Sequence, residues 1–186
     1  MPVDMRWKAL DAQLAAHPSA DEKEARDVAF VRAFLRAHPT DAHLRSQLEG
    51  HLTGSGFVLD SSRKRVLLLH HKKLERWLQP GGHGEGETDP RLVALREIEE
   101  ETGLTAKDLQ PFPDDKLLDV DVHRIPARTR KGDTKAGLGP GHHIPDTGDT
   151  KAGLGPGHHV PDTICEPAHD HLDLRYGFVA RVGVEP

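Results

Sequence analysis

The feature that most constrains this chain is a glycine-rich run that opens onto a short acidic segment. It reads Gly81-Gly82-His83-Gly84-Glu85-Gly86-Glu87 and, after a brief join, Arg96-Glu97-Ile98-Glu99-Glu100-Glu101-Thr102-Gly103-Leu104. Asp89 before Pro90 predicts a helix start, with a side-chain acceptor at the cap and a proline at the first helical position. Gly103 predicts the stop, because glycine takes the left-handed conformation just past the last turn. Set out at roughly 100° per residue, Leu92, Ala94, Leu95 and Ile98 fall on one side and should pack on a core. Glu97, Glu100 and Glu101 share an arc of roughly 100° on the other side.

That arc is poorly placed if stability is its only purpose. Like charges three and four residues apart repel by a few tenths of a kcal/mol per pair. They also occupy the last turns of the helix, where the macrodipole favours cations. A hard divalent cation such as Mg²⁺, which prefers carboxylate, carbonyl and water oxygens, reverses both penalties. The plainer reading is a solvated Glu-rich face. The glycine loop before the arc and the glycine stop after it favour the metal reading.

The segment Arg96-Glu97-Ile98-Glu99-Glu100-Glu101-Thr102-Gly103-Leu104 resembles the second half of the Nudix box, matching each of its fixed positions. Gly81, five intervening residues and Glu87 resemble its first half. One departure stands in the join, where Thr88 to Leu95 makes eight residues against the family's usual seven. Counted back from Arg96, Thr88 occupies the position expected for the glutamate. The resemblance implies an α/β fold, a Nudix-like α/β/α sandwich with a mixed sheet. It also implies a metal site of Glu97, Glu100, Glu101 and the Gly81 carbonyl, holding Mg²⁺ with Mn²⁺ as a second option. Glu97, Glu100 and Arg96 are then the catalytic set, with Arg96 orienting a neighbouring carboxylate. The expected activity is hydrolysis of the diphosphate linkage of a nucleoside diphosphate joined to another moiety. The group that reads that moiety lies outside the box and is not legible.

Composition bounds the rest. Of 186 residues, 35% are hydrophobic and 4% aromatic, which is lean for a core, so part of the chain should be solvated or irregular. The net charge of −5 argues against nucleic acid or an anionic membrane as the main partner. A single cysteine, Cys165, excludes an internal disulfide and fits a reducing cytoplasm. No run is long enough to span a bilayer, and the first residues carry no apolar signal core.

Residues 1–50 read as a helical extension. Trp7, Leu10 and Leu14 recur at helical spacing. Ser19 with Glu22 suggests a capping box ahead of a second helix, whose stripe is Val28, Val31, Phe34 and Leu35. A short third helix is expected between Thr40 and Gly50. This extension is read as a lid on the catalytic domain, with a partner-binding or homodimer arm as the alternative.

Residues 51–186 read as the Nudix domain. Strands are expected over 51–59 and 65–71, the second buried on both faces. His70, His71, Lys72 and Lys73 at its end either meet a substrate phosphate or are simply solvated. Leu118, Val120 and Val122 alternate with polar residues, as do Leu172, Leu174, Tyr176, Phe178, Ala180 and Val182, marking two more strands. Glu166, His169, Asp170 and His171, near the start of the last one, are candidates for a base outside the box.

Between these strands lies a tandem duplication. Residues 132–147 read GDTKAGLGPGHHIPDT, and 148–163 repeat them with one exchange, Ile144 against Val160. The unit is rich in Gly and Pro, so 131–165 is expected to be a flexible insertion. Its histidines, His142, His143, His158 and His159, offer a second reading as a transition-metal handler. The sequence also stops soon after the last strand, which suggests a shortened C-terminus relative to the family. Together with the eight-residue join, this keeps a silent nucleotide-binding or sensor module in view as the rival to a hydrolase.

Overall fold

The computed structural model of the protein describes residues 3–72, 74–130 and 163–184. Asp4 caps a 3-10 turn, Met5–Trp7, through the Arg6 amide, and the chain continues into α1 (Lys8–Ala16) and α2 (Glu22–Ala37). Trp7, Leu10 and Leu14 are buried, and so is the stripe Val28, Val31, Phe34 and Leu35. The start of α2 lies two residues beyond the expected box. Asp21, not Ser19, is the cap and accepts from the Glu24 amide at 2.8 Å, while Glu24 reaches back to the Ala20 amide. An ionised acceptor suits the positive end of a helix better than a hydroxyl does.

The third helix expected after Thr40 does not form. Residues 39–46 run through successive turns instead. The backbone there is claimed from outside. Trp7 Nε1 donates to the Pro39 carbonyl at 2.8 Å, Arg6 donates to Thr40, and Leu52 N donates to the Ala42 carbonyl at 2.8 Å. These tertiary partners override a modest local propensity.

The remaining elements are β1 (Gly50–Leu59), β2 (Val66–Leu67), β3 (Leu69–His71), β4 (Arg76–Leu78), β5 (Gly81–His83), α3 (Pro90–Thr102), β6 (Leu109–Pro111), β7 (Leu117–Ile125), β8 (Arg128–Arg130), β9 (Thr163–Glu166) and β10 (His169–Ala180). Six strands make one mixed sheet. At its centre β1 runs parallel to β10, pairing from Gly50 with Asp170 to Leu59 with Val179. β2 and β5 pair antiparallel to β1, and β6 and β7 antiparallel to β10. The α/β class, the mixed sheet and the N-terminal helices stand as expected.

The strand expected over 65–71 is divided, and it is not buried on both faces; Val66 is 45% exposed. The cause is competition for one edge. β5 takes β1 at residues 53–55, leaving only Val58 and Leu59 for β2, and residues 69–71 turn away to pair with β4. β10 departs in the opposite sense. Flanked on both sides, it is buried along most of its length, while Val182 lies past its end and is exposed.

Two details position the site. α3 rests on the sheet over glycines of β1. A Cβ at Gly54 would lie 2.3 Å from the Pro90 carbonyl oxygen, and one at Gly56 would lie 2.5 Å from Ile98 Cδ1. The buried face of α3 is therefore Val93, Ala94 and Ile98, while Leu92, expected in the core, is exposed. At the outer edge of β7, α2 supplies acceptors for strand amides. Glu24 takes the Val120 N–H and Asp27 the Val122 N–H, each at 3.0 Å. A bare edge invites pairing with another strand, and these carboxylates close it.

The chain divides into two compact units, Met1–Ile125 with Ala168–Pro186, and Pro126–Pro167. In the second, β8 pairs antiparallel with β9. The duplicated repeat with His142, His143, His158 and His159, and Lys73, lie outside the described residues. Among the described residues no helix is long and apolar enough to cross a membrane.

Candidate active site

α3 begins and ends where its sequence says. The Asp89 side chain accepts from the Arg91 amide at 2.9 Å, Pro90 takes the first helical position, and Gly103 closes the helix at φ 79°. This fixes the phase of the acidic arc. Glu97 faces the glycine strand β5 and is half-buried, while Glu100 and Glu101 are exposed beside it. A Cβ at Gly82 would lie 2.6 Å from the Glu97 carboxylate, so only glycine admits the acid at this place. The Gly81 amide hydrogen-bonds Glu101, tying the first glycine of the loop to the last acid of the arc.

The electrostatics of the arc are unfavourable in the protein alone. Burial pushes the Glu97 carboxyl above its ordinary value of 4.5; Arg96 opposes the shift, and Glu100, Glu101 and Glu85 add to it. Glu101 is raised too, first by burial, against the pull of the Gly81 amide. Arg96 is the hub. Its guanidinium lies 2.9 Å from Glu97, 3.6 Å from Glu100 and 3.1 Å from Glu85, and Nη2 donates to the His83 carbonyl at 2.5 Å.

Glu87 is not part of this group. Its Oε1 accepts from the Thr88 and Asp89 amides at 2.6 and 2.9 Å, so it serves the entrance of α3. The extra residue in the join is absorbed there. Glu85 contacts Arg96 instead, and sequence reasoning missed it. The signal was a second acid in the glycine loop, spaced two residues ahead of Glu87.

The candidate bases are dispersed. Glu166 pairs with Arg128 at 3.4 Å, within the second unit. Asp170 pairs with Arg124 at 3.1 Å. His169 and His171 stand in a row of histidines, and strand alternation puts His171 on the sheet face opposite Gly54 and α3. His71 is exposed and close enough to Glu101 to favour its ionised form, whereas His70 packs against the Trp77 ring at 5.1 Å between centroids.

Part of the chain is similar to known proteins. Residues 50–136 match the NUDIX domain. The probable DHNTP pyrophosphohydrolase of Lactococcus lactis subsp. cremoris is 32% identical over 106 residues, 57% of this chain and 61% of that protein. The chain thus spans about three fifths of that relative's length. Among solved structures, a NUDIX-family hydrolase from Clostridium perfringens aligns with TM-score 0.38 and 22% identity over 77% of this chain and 72% of that one. The C. elegans Ap4A hydrolase aligns with TM-score 0.37 and 13% identity over 72% of each chain. The glycine strand and the acid helix both lie within the matched stretch, and over residues 50–136 the chain is similar to the Nudix family.

Proposed function

We propose that the protein is a Mg²⁺-dependent pyrophosphohydrolase that cleaves the diphosphate linkage of a nucleoside diphosphate joined to another group. The observation that carries this reading is the seating of Glu97 over Gly82, on the side of α3 that also carries Glu100 and Glu101, where burial raises the Glu97 and Glu101 carboxyls. The donor set fits a hard cation: carboxylate oxygens, with Gly81 held beside Glu101 through its amide. Glu97, Glu100 and Glu101 are the residues that would hold Mg²⁺, or Mn²⁺, with the Gly81 carbonyl as a further oxygen. When bound, the metal neutralises the diphosphate and lowers the pKa of a coordinated water.

The remaining work falls to this chain's own side chains. Arg96 lies against Glu97 and Glu100 and donates to the His83 carbonyl, so it would orient these two acids toward the glycine strand. Phosphoryl transfer asks mainly for positioning and charge neutralisation, which carboxylates gathered on one side of α3 would support. His71 offers a cationic neighbour on the Glu101 side when protonated. The relative from Lactococcus lactis is named for DHNTP, which joins the substrate panel on that account.

A second reading, a nucleotide-binding module without turnover, draws on one observation. Glu87 is engaged by the Thr88 and Asp89 amides and leaves the arc with one acid fewer than the box provides. Incubation with Mg²⁺ and a panel of nucleoside diphosphate conjugates, followed for phosphate-containing products, decides between the two. Products that vanish in Glu100→Gln support the hydrolase. Saturable binding with no product supports the module.

A further inference from the structure

On the sheet face away from α3, histidines line up across four strands. His51 on β1 pairs in register with His171 on β10, which pairs with His123 on β7, and His83 on β5 stands opposite Thr53, two residues along β1. The rings of His51 and His83 are 5.0 Å apart between centroids, those of His51 and His171 5.0 Å, and those of His83 and His171 4.9 Å. We propose that His51, His83 and His171 form a binding site for a divalent transition metal of the zinc class, distinct from the carboxylate arc.

The distances suit such an ion. One nitrogen from each of the three rings lies within 4.8 Å of the others. His83 Nε2 and His171 Nε2 are 3.2 Å apart. Tetrahedral zinc at about 2.0–2.1 Å from each nitrogen separates its ligands by about 3.3–3.4 Å. One pair already stands at that spacing, and small ring rotations bring in the third. Imidazole nitrogen selects zinc, nickel, copper or cobalt over magnesium, so the two sites do not compete for one ion.

Burial gives an independent reason. His51 is 1% exposed and neither ring nitrogen makes a well-aligned hydrogen bond, although the Gln47 backbone acts on the ring. Leaving a buried polar group unmatched is costly, so such a ring in a sheet interior calls for a partner. Three ligands leave a fourth position for water or an anion. An ion there ties the end of β5 to β1 and β10, and the His83 carbonyl on that end receives Arg96. The site would thus act as a pin beneath the arc, a positioning role.

The test uses the full chain with His142, His143, His158 and His159 replaced by alanine, so that the repeats contribute no ligands. Zinc is titrated calorimetrically in excess Mg²⁺, and Co²⁺ is followed by its visible d–d bands. One equivalent of zinc per chain and a tetrahedral cobalt spectrum are expected. His83→Gln and His171→Gln, each confirmed folded by circular dichroism, should weaken zinc by at least roughly tenfold and abolish the cobalt bands. Histidine ¹⁵N spectra of the unsubstituted chain should show ring nitrogens of these three residues moving on zinc addition, a readout that needs no variant. The proposal is overturned if the chain lacking the repeat histidines binds no stoichiometric zinc. It is equally overturned if folded His83→Gln binds zinc as tightly as its parent, or if the shifting nitrogens belong to other histidines.

Discussion

Glu97 sits directly over Gly82, with its carboxylate 2.6 Å from where a Cβ would be. The loop glycine and the helix acid therefore form one unit, and the smallest substitution at 82 must displace the acid. Gly82→Ala should lower turnover by roughly 10²-fold, the loss expected from about 1 Å of misplacement. Steady-state kinetics with far-ultraviolet circular dichroism checks this, with secondary structure expected to be unchanged.

The exposed acids test the arc without disturbing the core. Glu100→Gln and Glu101→Gln each remove a charge from a solvent-facing position and should leave the fold intact. If each contributes about 3 kcal/mol of metal-assisted charge stabilisation, turnover falls roughly 150-fold. Rates like the parent's in both variants would contradict the assignment of the metal site.

Arg96→Lys separates positioning from charge. Lysine keeps the positive charge but cannot span Glu97, Glu100, Glu85 and the His83 carbonyl with one planar group. The expected result is a fall in kcat of roughly tenfold or more with KM changed less, because orientation is lost while attraction is kept.

Glu24 gives a prediction about stability and pH. Burial alone would raise its carboxyl, but the Ala20 amide, His17 and the Val120 amide outweigh burial and hold it below its ordinary 4.5. A depressed carboxylate stabilises the fold above the unfolded value and ceases to do so as pH falls through the folded one. Glu24→Leu leaves two amides without their acceptor and should cost about 2 kcal/mol or more at neutral pH, lowering Tm by roughly 4–8 °C. The gap between parent and variant should close on acidification below about 4.5. Thermal melts at a series of pH values measure it.

Local chemistry explains what the sequence made legible. The cap, the proline and the left-handed glycine of α3 depend on neighbours within a few residues, and so does the arc of Glu97, Glu100 and Glu101; all can be read along the chain. The stripe of α2 follows for the same reason. The misreadings arise where distant segments compete. Residues 66–71 are apolar enough for one strand, yet β5 had taken their edge of β1. Thr40–Gly50 has modest helical character, yet Arg6 and Leu52 claim carbonyls within it and Trp7 claims that of Pro39 just before it. Leu92 and Val93 exchange places because the glycines beneath set the roll of the helix. The histidine row was illegible because His51, His83 and His171 are far apart in sequence and meet only through strand register.

The two glycines of β1 have a meaning for design. By omitting side chains at 54 and 56, the strand lets the box helix descend until the Pro90 carbonyl and Ile98 nearly touch backbone. The height of the acids above the loop is thus written on a strand that contributes no ligand. Transplanting the loop and helix onto a foreign scaffold would carry every recognisable motif residue and still leave the acids too far from the loop, unless both bare positions travelled with them.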